Sequence, residues 1–329
     1  MQSKWVIFGE KFNENLAKIN YSQHTKLILY NVYHITSLFM RYFTTIFLFS
    51  IFFCLGCDKQ EAIPSYIKIQ PFVVNVTGGN AWHEVTDGWI YVNNELIGGF
   101  TLPVEIPILA EGLAEVQIFP GVKVNGLKSS PGVYPMMNRY KESVTLKPGE
   151  TVTISPTTEY DPNITFAWPE DKTTFDGATT VLYEDRDFDM STTFSISTAS
   201  GFQGKGLLME VDTAHSMIEI ASEQIALPNT GDRNVWLELH HKNDIPFSIQ
   251  IVGVGQDGFE QGIPLYLFNP TKDGNWNKIY LNLTDYLPTL AKPTYRLFFR
   301  VPLPIDNATG QYSTLKGKVM LDNISLLHF

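Results

Sequence analysis

The spacing of apolar residues constrains the fold of this chain more than any other feature. After residue 57, apolar and polar residues alternate in short runs bounded by Gly, Pro, Asn or Asp, and helical periodicity is almost absent. Alternation places the apolar side chains on one face of a strand, a pattern typical of antiparallel sheets. The runs that predict strands are TVTISP, TFSIST, VWLELH, FSIQIVGV, KIYLNL, YRLFFRV and KVMLDNISL. The fold class is therefore predicted to be all-β.

One segment near the N-terminus has a different composition. Residues 42–57 form a run of sixteen residues without a charge, directly after Met40 and Arg41. A membrane-spanning helix needs about 20 apolar residues, whereas a run of this length suits the hydrophobic region of a signal peptide. We predict a signal peptide at residues 40–56, with residues 1–39 arising from an upstream start codon. A genuine N-terminal extension is the alternative.

The end of this segment, Leu55-Gly56-Cys57, resembles the lipobox of bacterial lipoproteins, although Cys54 departs from the leucine most common at its position. The resemblance implies that Cys57 is lipidated and becomes the mature N-terminus, with residues 57–64 as a polar tether. Several acyl chains anchor a protein stably, because each buried CH₂ contributes about 0.8 kcal/mol. A secretory signal that merely ends near a cysteine, or an N-terminal membrane anchor, is the alternative.

Charge and cysteine content exclude several classes of function. The chain has 24 basic and 34 acidic residues; without residues 1–56, which hold five basic and two acidic residues, 19 and 32 remain, a net charge of −13. Nucleic-acid-binding proteins present basic surfaces, so no nucleic-acid partner is expected. Both cysteines precede residue 58, so the mature chain has no disulfide, zinc knuckle or cysteine nucleophile beyond Cys57.

Residues 65–157 are predicted to form a small antiparallel β-sandwich. Asn93-Asn94 lies between two apolar runs and predicts a hairpin turn, because Asn tolerates positive φ. Pro103 and Pro107 restrict their segment to an edge strand. The run from "GWIYV" through "GFTLP" to "FPG" loosely resembles the PEGA-type β-sandwich, a resemblance that implies a spacer or an interaction domain.

Residues 158–329 resemble the β-jelly roll of galactose-binding-like and carbohydrate-binding modules. The resemblance rests on the strand patterning and on a final strand that carries Leu321-Asp322-Asn323. It implies ligand binding, with a glycan as the expected ligand. A sandwich followed by a jelly roll behind a lipobox resembles Bacteroidota lipoproteins, which implies anchoring in the outer membrane.

The chain shows no pattern typical of catalysis. The adjacent His240 and His241 point to opposite faces of a strand and cannot chelate one ion together. A nucleophile elbow of the Gly-x-Ser-x-Gly type is absent, and "GFQGKG" matches no phosphate-binding loop. We therefore predict that the protein is not an enzyme.

No cofactor is expected with certainty, but a structural Ca²⁺ is a candidate. The resemblance to jelly rolls implies a calcium ion between the first and last strands, held by Asp322 with Glu184 or Asp185. Calcium needs six to eight oxygen ligands. The alternative is that Asp322 caps a turn.

The strand "VWLELHH" offers a candidate ligand-binding face. Trp236, Glu238 and His240 share one face of it, and the opposite, leucine-rich face is predicted to be core. If the first face is exposed, the indole can stack on a sugar while the polar groups bind hydroxyls. The alternative is a tryptophan buried beneath the sheet. A function as a structural subunit that docks on an outer-membrane protein complex also stays open.

Overall fold

A computed structural model describes four stretches of the chain, residues 30, 35–44, 61–192 and 194–329. The predicted lipidation site Cys57 and most of the predicted signal peptide lie outside these residues. The chain divides into two compact units, Met1–Ala62 and Ile63–Phe329. In the first unit, residues 35–44 form helix α1. Within the described stretches, no helix combines the length and apolarity that crossing a membrane requires.

The second unit consists mainly of strands. Its short helices are α2 (Gly79–Trp82), α3 (Glu170–Thr173) and α4 (Tyr286–Leu290), with 3₁₀ turns at Thr198–Ser200 and Lys272–Gly274. Its strands are β1 (Ser65–Ile69), β2 (Val73–Val74), β3 (Asp87–Val92), β4 (Glu95–Thr101), β5 (Val104–Ile108), β6 (Gly112–Lys123), β7 (Pro131–Val133), β8 (Tyr140–Leu146), β9 (Thr151–Ile154), β10 (Thr157–Thr158), β11 (Thr165–Phe166), β12 (Leu182–Asp185), β13 (Phe194–Ser197), β14 (Gly206–Asp212), β15 (Met217–Ser222), β16 (Val235–Asn243), β17 (Phe247–Val254), β18 (Glu260–Phe268), β19 (Asn277–Asn282), β20 (Thr294–Pro302) and β21 (Lys316–His328).

The first ten strands build a small sandwich. One sheet has the order β4-β3-β6-β7, with β8 also paired to β6, a second has the order β5-β1-β9, and β2 and β10 form a two-stranded sheet. Asn93 and Asn94 have φ values of 51° and 67° and form the turn between β3 and β4, which confirms the predicted hairpin. Pro107 lies on β5, at the edge of its sheet, where a missing amide hydrogen costs no ladder bond. Most pairs are antiparallel, but β9 runs parallel to β1.

The remaining strands form a jelly roll of two packed sheets. One has the order β13-β14-β21-β16-β19, with β11 also paired to β21, and the other has the order β12-β15-β20-β17-β18. Each of the seven runs predicted as strands coincides with a strand, β9, β13, β16, β17, β19, β20 or β21. In the described part of the chain, the predicted all-β fold of a small sandwich followed by a jelly roll is confirmed.

The two sandwiches pack against each other within one compact unit. Three residues of the jelly roll, Trp236, Tyr280 and Leu327, belong to the hydrophobic core of the first sandwich. Asn125 reinforces the junction, because its backbone N–H donates to the Tyr280 carbonyl at 2.8 Å and its side-chain oxygen accepts from the Asn282 N–H at 3.0 Å. The outer face of β16 and β19 is therefore covered. The proposed boundary between residues 157 and 158 remains a prediction.

Candidate functional site

The face of β16 predicted to be exposed is buried. Trp236, Glu238 and His240 are 2%, 0% and 3% exposed, so the expectation of an open sugar platform is wrong. The first sandwich covers Trp236 and Glu238, and the Trp236 ring packs edge-on against Tyr134 at a centroid distance of 5.2 Å. At His240 the cover is the ring of Phe202, from the loop between β13 and β14, which stacks on the imidazole at 4.1 Å. The opposite face, with Leu237 and Leu239, lies in the jelly-roll core as predicted. The sequence pattern separated the two faces of the strand but did not show that a second domain covers one of them.

Glu238 is the centre of a buried polar network that spans the junction. Its Oε1 accepts hydrogen bonds from the hydroxyls of Tyr134 and, at 3.1 Å, Tyr160. Its Oε2 lies 2.8 Å from Nζ of Lys278, which is itself 3% exposed. Burial alone would raise the pKa of Glu238, but the Lys278 ammonium and the hydrogen bonds hold this pKa below its usual range. Glu238 and Lys278 therefore form a buried ion pair.

His83 also faces Glu238 but carries no charge. Burial lowers its pKa more than the neighbouring carboxylate raises it, so the imidazole is neutral at pH 7. Its Nε2 lies 3.3 Å from the Thr77 carbonyl, which assigns the proton to Nε2. Its Nδ1 lies 3.7 Å from Glu238 Oε2. This contact is therefore not an ion pair, and Lys278 alone neutralises Glu238.

A cavity of about 670 Å³ opens beside this network. Its lining comes from both sandwiches and from the connecting segment between β10 and β12 (residues 159–181): Val76, Thr77, Trp82, His83, Tyr160, Phe166, Ala167, Trp168, Pro169, Glu170, Thr173, Thr174, Glu238, Lys278, Asn323 and Ser325. Its exposed members are Thr77, Phe166, Pro169 and Glu170, and Trp82 is half-buried. The side chains of Glu238 and Lys278 are only 1% and 3% exposed. The volume lies within the roughly 300–1,000 Å³ of small-molecule sites.

Asn323 reaches the cavity through an irregularity in β21. The register between β16 and β21 shifts between Glu238 and His240, so that Asn323 and Ile324 together oppose Leu239. Such a bulge redirects a side chain, and Asn323 has a φ of 48° that Asn tolerates better than most residues. Its Nδ2 lies 3.2 Å from Nδ1 of His240, whose pKa burial lowers to about 2.

Apart from Oε2 of Glu238, which has its ion pair with Lys278, two buried polar atoms of the lining residues have no hydrogen-bond partner among the described residues: Nε1 of Trp168 and Oδ1 of Asn323. One is a donor and the other an acceptor. Buried polar atoms are rarely left without a partner, because each such atom costs about 1–3 kcal/mol. These two atoms are therefore candidate contacts for a bound molecule.

The residues proposed for calcium are not brought together. Asp322 lies on β21, where Oδ2 accepts the N–H groups of Phe202 and Gln203 at 2.8 and 3.4 Å and Oδ1 accepts that of Asn323 at 2.7 Å. Glu184 and Asp185 lie on β12, in the other sheet. Among the residues that the structure describes, no cluster of three or more metal-binding side chains occurs.

These carboxylates have other partners. Glu184 pairs with Arg186 at 2.7 Å and with Arg296 at 2.6 Å. Burial raises the pKa of Asp322 to about 7 against the opposing effect of its amide donors. Asp322 thus holds the loop between β13 and β14 against the last strand through hydrogen bonds, in agreement with the alternative of a turn residue.

The sequence analysis missed four residues of the network, His83, Tyr134, Tyr160 and Lys278. One signal was present: Lys278 alternates with apolar residues on its strand and shares a face with Tyr280. In the structure, Glu238 is opposite Tyr280 and His240 is opposite Lys278, so the ion pair is a diagonal pair across neighbouring strands. The order of strands needed to see this pair was not readable from the sequence.

Comparisons with known proteins find no matching family model and no matching curated protein. Among solved structures, the enzymatically active domain of tailspike protein 4 from bacteriophage CBA120 is 14% identical, with a TM-score of 0.36 over 54% of this chain and 25% of that chain. The chain thus spans about a quarter of the length of that tailspike domain.

Other similar structures are carbohydrate-binding modules. One, from the β-sandwich superfamily and described as promiscuous in specificity, is 12% identical, with a TM-score of 0.34 over 82% of this chain and 99% of that chain. Another, TmCBM61 in complex with β-1,4-galactotriose, is 8% identical, with a TM-score of 0.31 over 49% and 97%. TM-scores this low support no conclusion about the fold or function of this chain.

Proposed function

We propose that this protein binds a glycan in the cavity between its two sandwiches. The observation that carries the proposal is the composition of the cavity wall, which combines aromatic rings with unpaired buried polar atoms. Trp82, Tyr160 and Phe166 present rings beside Trp168 Nε1 and Asn323 Oδ1. A sugar has apolar faces of C–H groups that pack on rings and hydroxyls that both donate and accept. Cavities with mainly apolar walls and a few placed polar groups are typical of small-molecule sites.

The network around Glu238 favours binding over catalysis. A general acid must carry a proton, whereas Lys278 holds the pKa of Glu238 below its usual range. Both carboxylate oxygens also have partners within the protein, in Tyr134, Tyr160 and Lys278. Glu238 therefore shapes and stabilises the cavity wall and does not carry the proton that a general acid must donate.

The lipobox-like end of the N-terminal segment supports a place in the cell envelope. Lipidation of Cys57 would anchor the protein in the outer membrane of a Bacteroidota-like bacterium, with the acidic mature chain adding no attraction to anionic headgroups. A glycan-binding protein at that position would hold oligosaccharides near the cell surface or in the periplasm.

The test is a glycan-array screen of the full-length protein in detergent, followed by titration calorimetry with the oligosaccharides that bind. Trp82→Ala is expected to weaken binding at least tenfold, because a ring in the cavity wall is lost. Phe188→Ala is the matched control, since Phe188 is an exposed aromatic residue outside the cavity lining. The proposal fails if no oligosaccharide binds or if both variants bind as the parent does.

A second candidate is a structural subunit of an outer-membrane protein complex. Leu109, in the turn between β5 and β6, and Leu113, on β6, are 77% and 76% exposed. Exposed leucines four residues apart favour contact with another protein. Leu109→Lys combined with Leu113→Lys should then abolish co-purification of a partner from solubilised membranes while leaving glycan binding unchanged.

A further inference from the structure

The charges that line the cavity are nearly balanced within the protein. Among the described lining residues, the charged side chains are Glu170, Glu238 and Lys278. His83 is neutral, because burial lowers its pKa. Nζ of Lys278 lies 2.8 Å from Glu238 Oε2 and faces the Tyr280 ring at 5.5 Å from its centroid. The one cation of the lining is therefore already compensated.

Glu170 adds a negative charge at the exposed part of the cavity. It is the first residue of α3, and its side chain is exposed. It forms no ion pair with any residue that the structure describes. A ligand that enters past Glu170 meets a net charge of about −1 in the lining and an already paired ammonium.

An anionic ligand would lose hydration in this cavity without gaining a counter-ion. Burial of a carboxylate or sulfate costs several kcal/mol unless a cation and hydrogen bonds offset it. Capture of Lys278 by such a ligand would leave Glu238 buried without its partner. A neutral sugar incurs neither cost, and its hydroxyls can serve both Trp168 Nε1 and Asn323 Oδ1.

We propose that the cavity selects uncharged glycans and discriminates against oligosaccharides that carry carboxylate, sulfate or phosphate groups. This inference rests on the proposed function, because it concerns the same cavity. It identifies Glu170 and the Glu238–Lys278 pair as the residues that determine this specificity.

The test uses matched oligosaccharides that differ only in charge. Neutral trisaccharides of hexoses and N-acetylhexosamines are titrated into the full-length protein in detergent, beside the same hexose trisaccharides oxidised at C6 to uronic acids. We expect the oxidised forms to bind at least tenfold more weakly at low ionic strength. Equal or tighter binding of the oxidised forms would overturn this inference and leave glycan binding intact. Binding of neither set would overturn the proposed function, and the inference with it.

A variant then tests the role of Glu170. Glu170→Gln should improve affinity for the oxidised trisaccharides about two- to fivefold at low salt, an effect that shrinks as salt screens the charge, with affinity for the neutral forms unchanged. Glu159→Gln is the matched control, because Glu159 is an exposed carboxylate of the same connecting segment outside the cavity lining. An equal gain in both variants, or none in Glu170→Gln, would refute the role assigned to Glu170.

Discussion

Tyr134 donates a hydrogen bond from its hydroxyl to the carboxylate of Glu238, and both side chains are fully buried. Tyr134 follows β7 of the first sandwich and Glu238 lies on β16 of the jelly roll. The bond therefore joins the two sandwiches by a directional contact as well as by apolar packing. Because Glu238 also lines the cavity, the contact that fixes the junction also fixes one wall of the candidate site.

Replacement of Glu238 should destabilise the fold strongly. Glu238→Gln keeps the shape but leaves the ammonium of Lys278, 3% exposed, without a counter-ion. Loss of one partner of a buried ion pair costs about 3–5 kcal/mol. Urea unfolding followed by circular dichroism measures this change, with Glu159→Gln at the surface as the control. A loss below about 1 kcal/mol would show that Lys278 is not buried as described.

Loss of the Tyr134 hydroxyl should reduce the free energy of unfolding by less than replacement of Glu238 does. Tyr134→Phe keeps the ring that packs against Trp236 and removes one donor to Glu238. Because the acceptor remains buried and charged, we expect the free energy of unfolding to fall by about 1–3 kcal/mol. Tyr140→Phe is the control, since its hydroxyl bonds an exposed carboxylate. Equal effects in the two variants would contradict the buried bond.

Replacement of Trp236 should mainly reduce stability, whereas replacement of Trp82 should mainly reduce ligand binding. Trp236→Ala removes a side chain from the core of the first sandwich, which should cost about 3–5 kcal/mol of stability. Trp82 is half-buried at the cavity, so Trp82→Ala should reduce ligand binding with a stability loss below about 1.5 kcal/mol. Thermal melts and titration calorimetry separate the two effects. A Trp236→Ala variant as stable as the parent would contradict the burial of Trp236 and indicate that this face of β16 is exposed.

Asp322 should make stability fall as pH rises. Burial raises its folded-state pKa to about 7 from a usual value of 3.8, so the folded state binds the proton more tightly than the unfolded state. The resulting stabilisation is full below about pH 4 and is lost as pH rises through 7.

Asp322→Asn cannot titrate and isolates this contribution from that of the buried histidines. Between pH 5 and pH 7.5, the free energy of unfolding of the wild type should fall by about 2 kcal/mol relative to that of Asp322→Asn, since each pKa unit corresponds to about 1.4 kcal/mol. Urea unfolding at the two pH values gives this difference. A constant difference would mean that Asp322 is ionised throughout.

Lipidation is expected at Cys57. Mass spectrometry of the membrane-extracted protein should identify an acylated N-terminal peptide that begins at this residue. Cys57→Ser should either release the protein from the membrane or leave it with its signal peptide uncleaved. Cys54→Ser is the control, because Cys54 lies within the predicted signal peptide and its loss should leave the acylated peptide unchanged. A mature protein that keeps residues 1–39 would contradict the prediction.

The sequence by itself determined the strands and their faces. Alternation in "VWLELHH" assigned Leu237 and Leu239 to the jelly-roll core, and Asn93-Asn94 predicted the turn between β3 and β4. These features are local, since the two-residue period and the tolerance of Asn for positive φ act within a few residues.

Only the tertiary structure decided what covers each face. Trp236, Glu238 and His240 have the alternation of an exposed binding face, but the first sandwich buries the first two and Phe202 of a jelly-roll loop stacks on the third. The hydrogen-bond partner Tyr134 of Glu238 is 104 residues away in the chain, and the ion-pair partner Lys278 lies on a neighbouring strand. Asp322 likewise bonds a loop 120 residues earlier in the chain. Such contacts depend on strand order and domain packing, because burial and charge pairing follow from distance in space and not from separation in sequence.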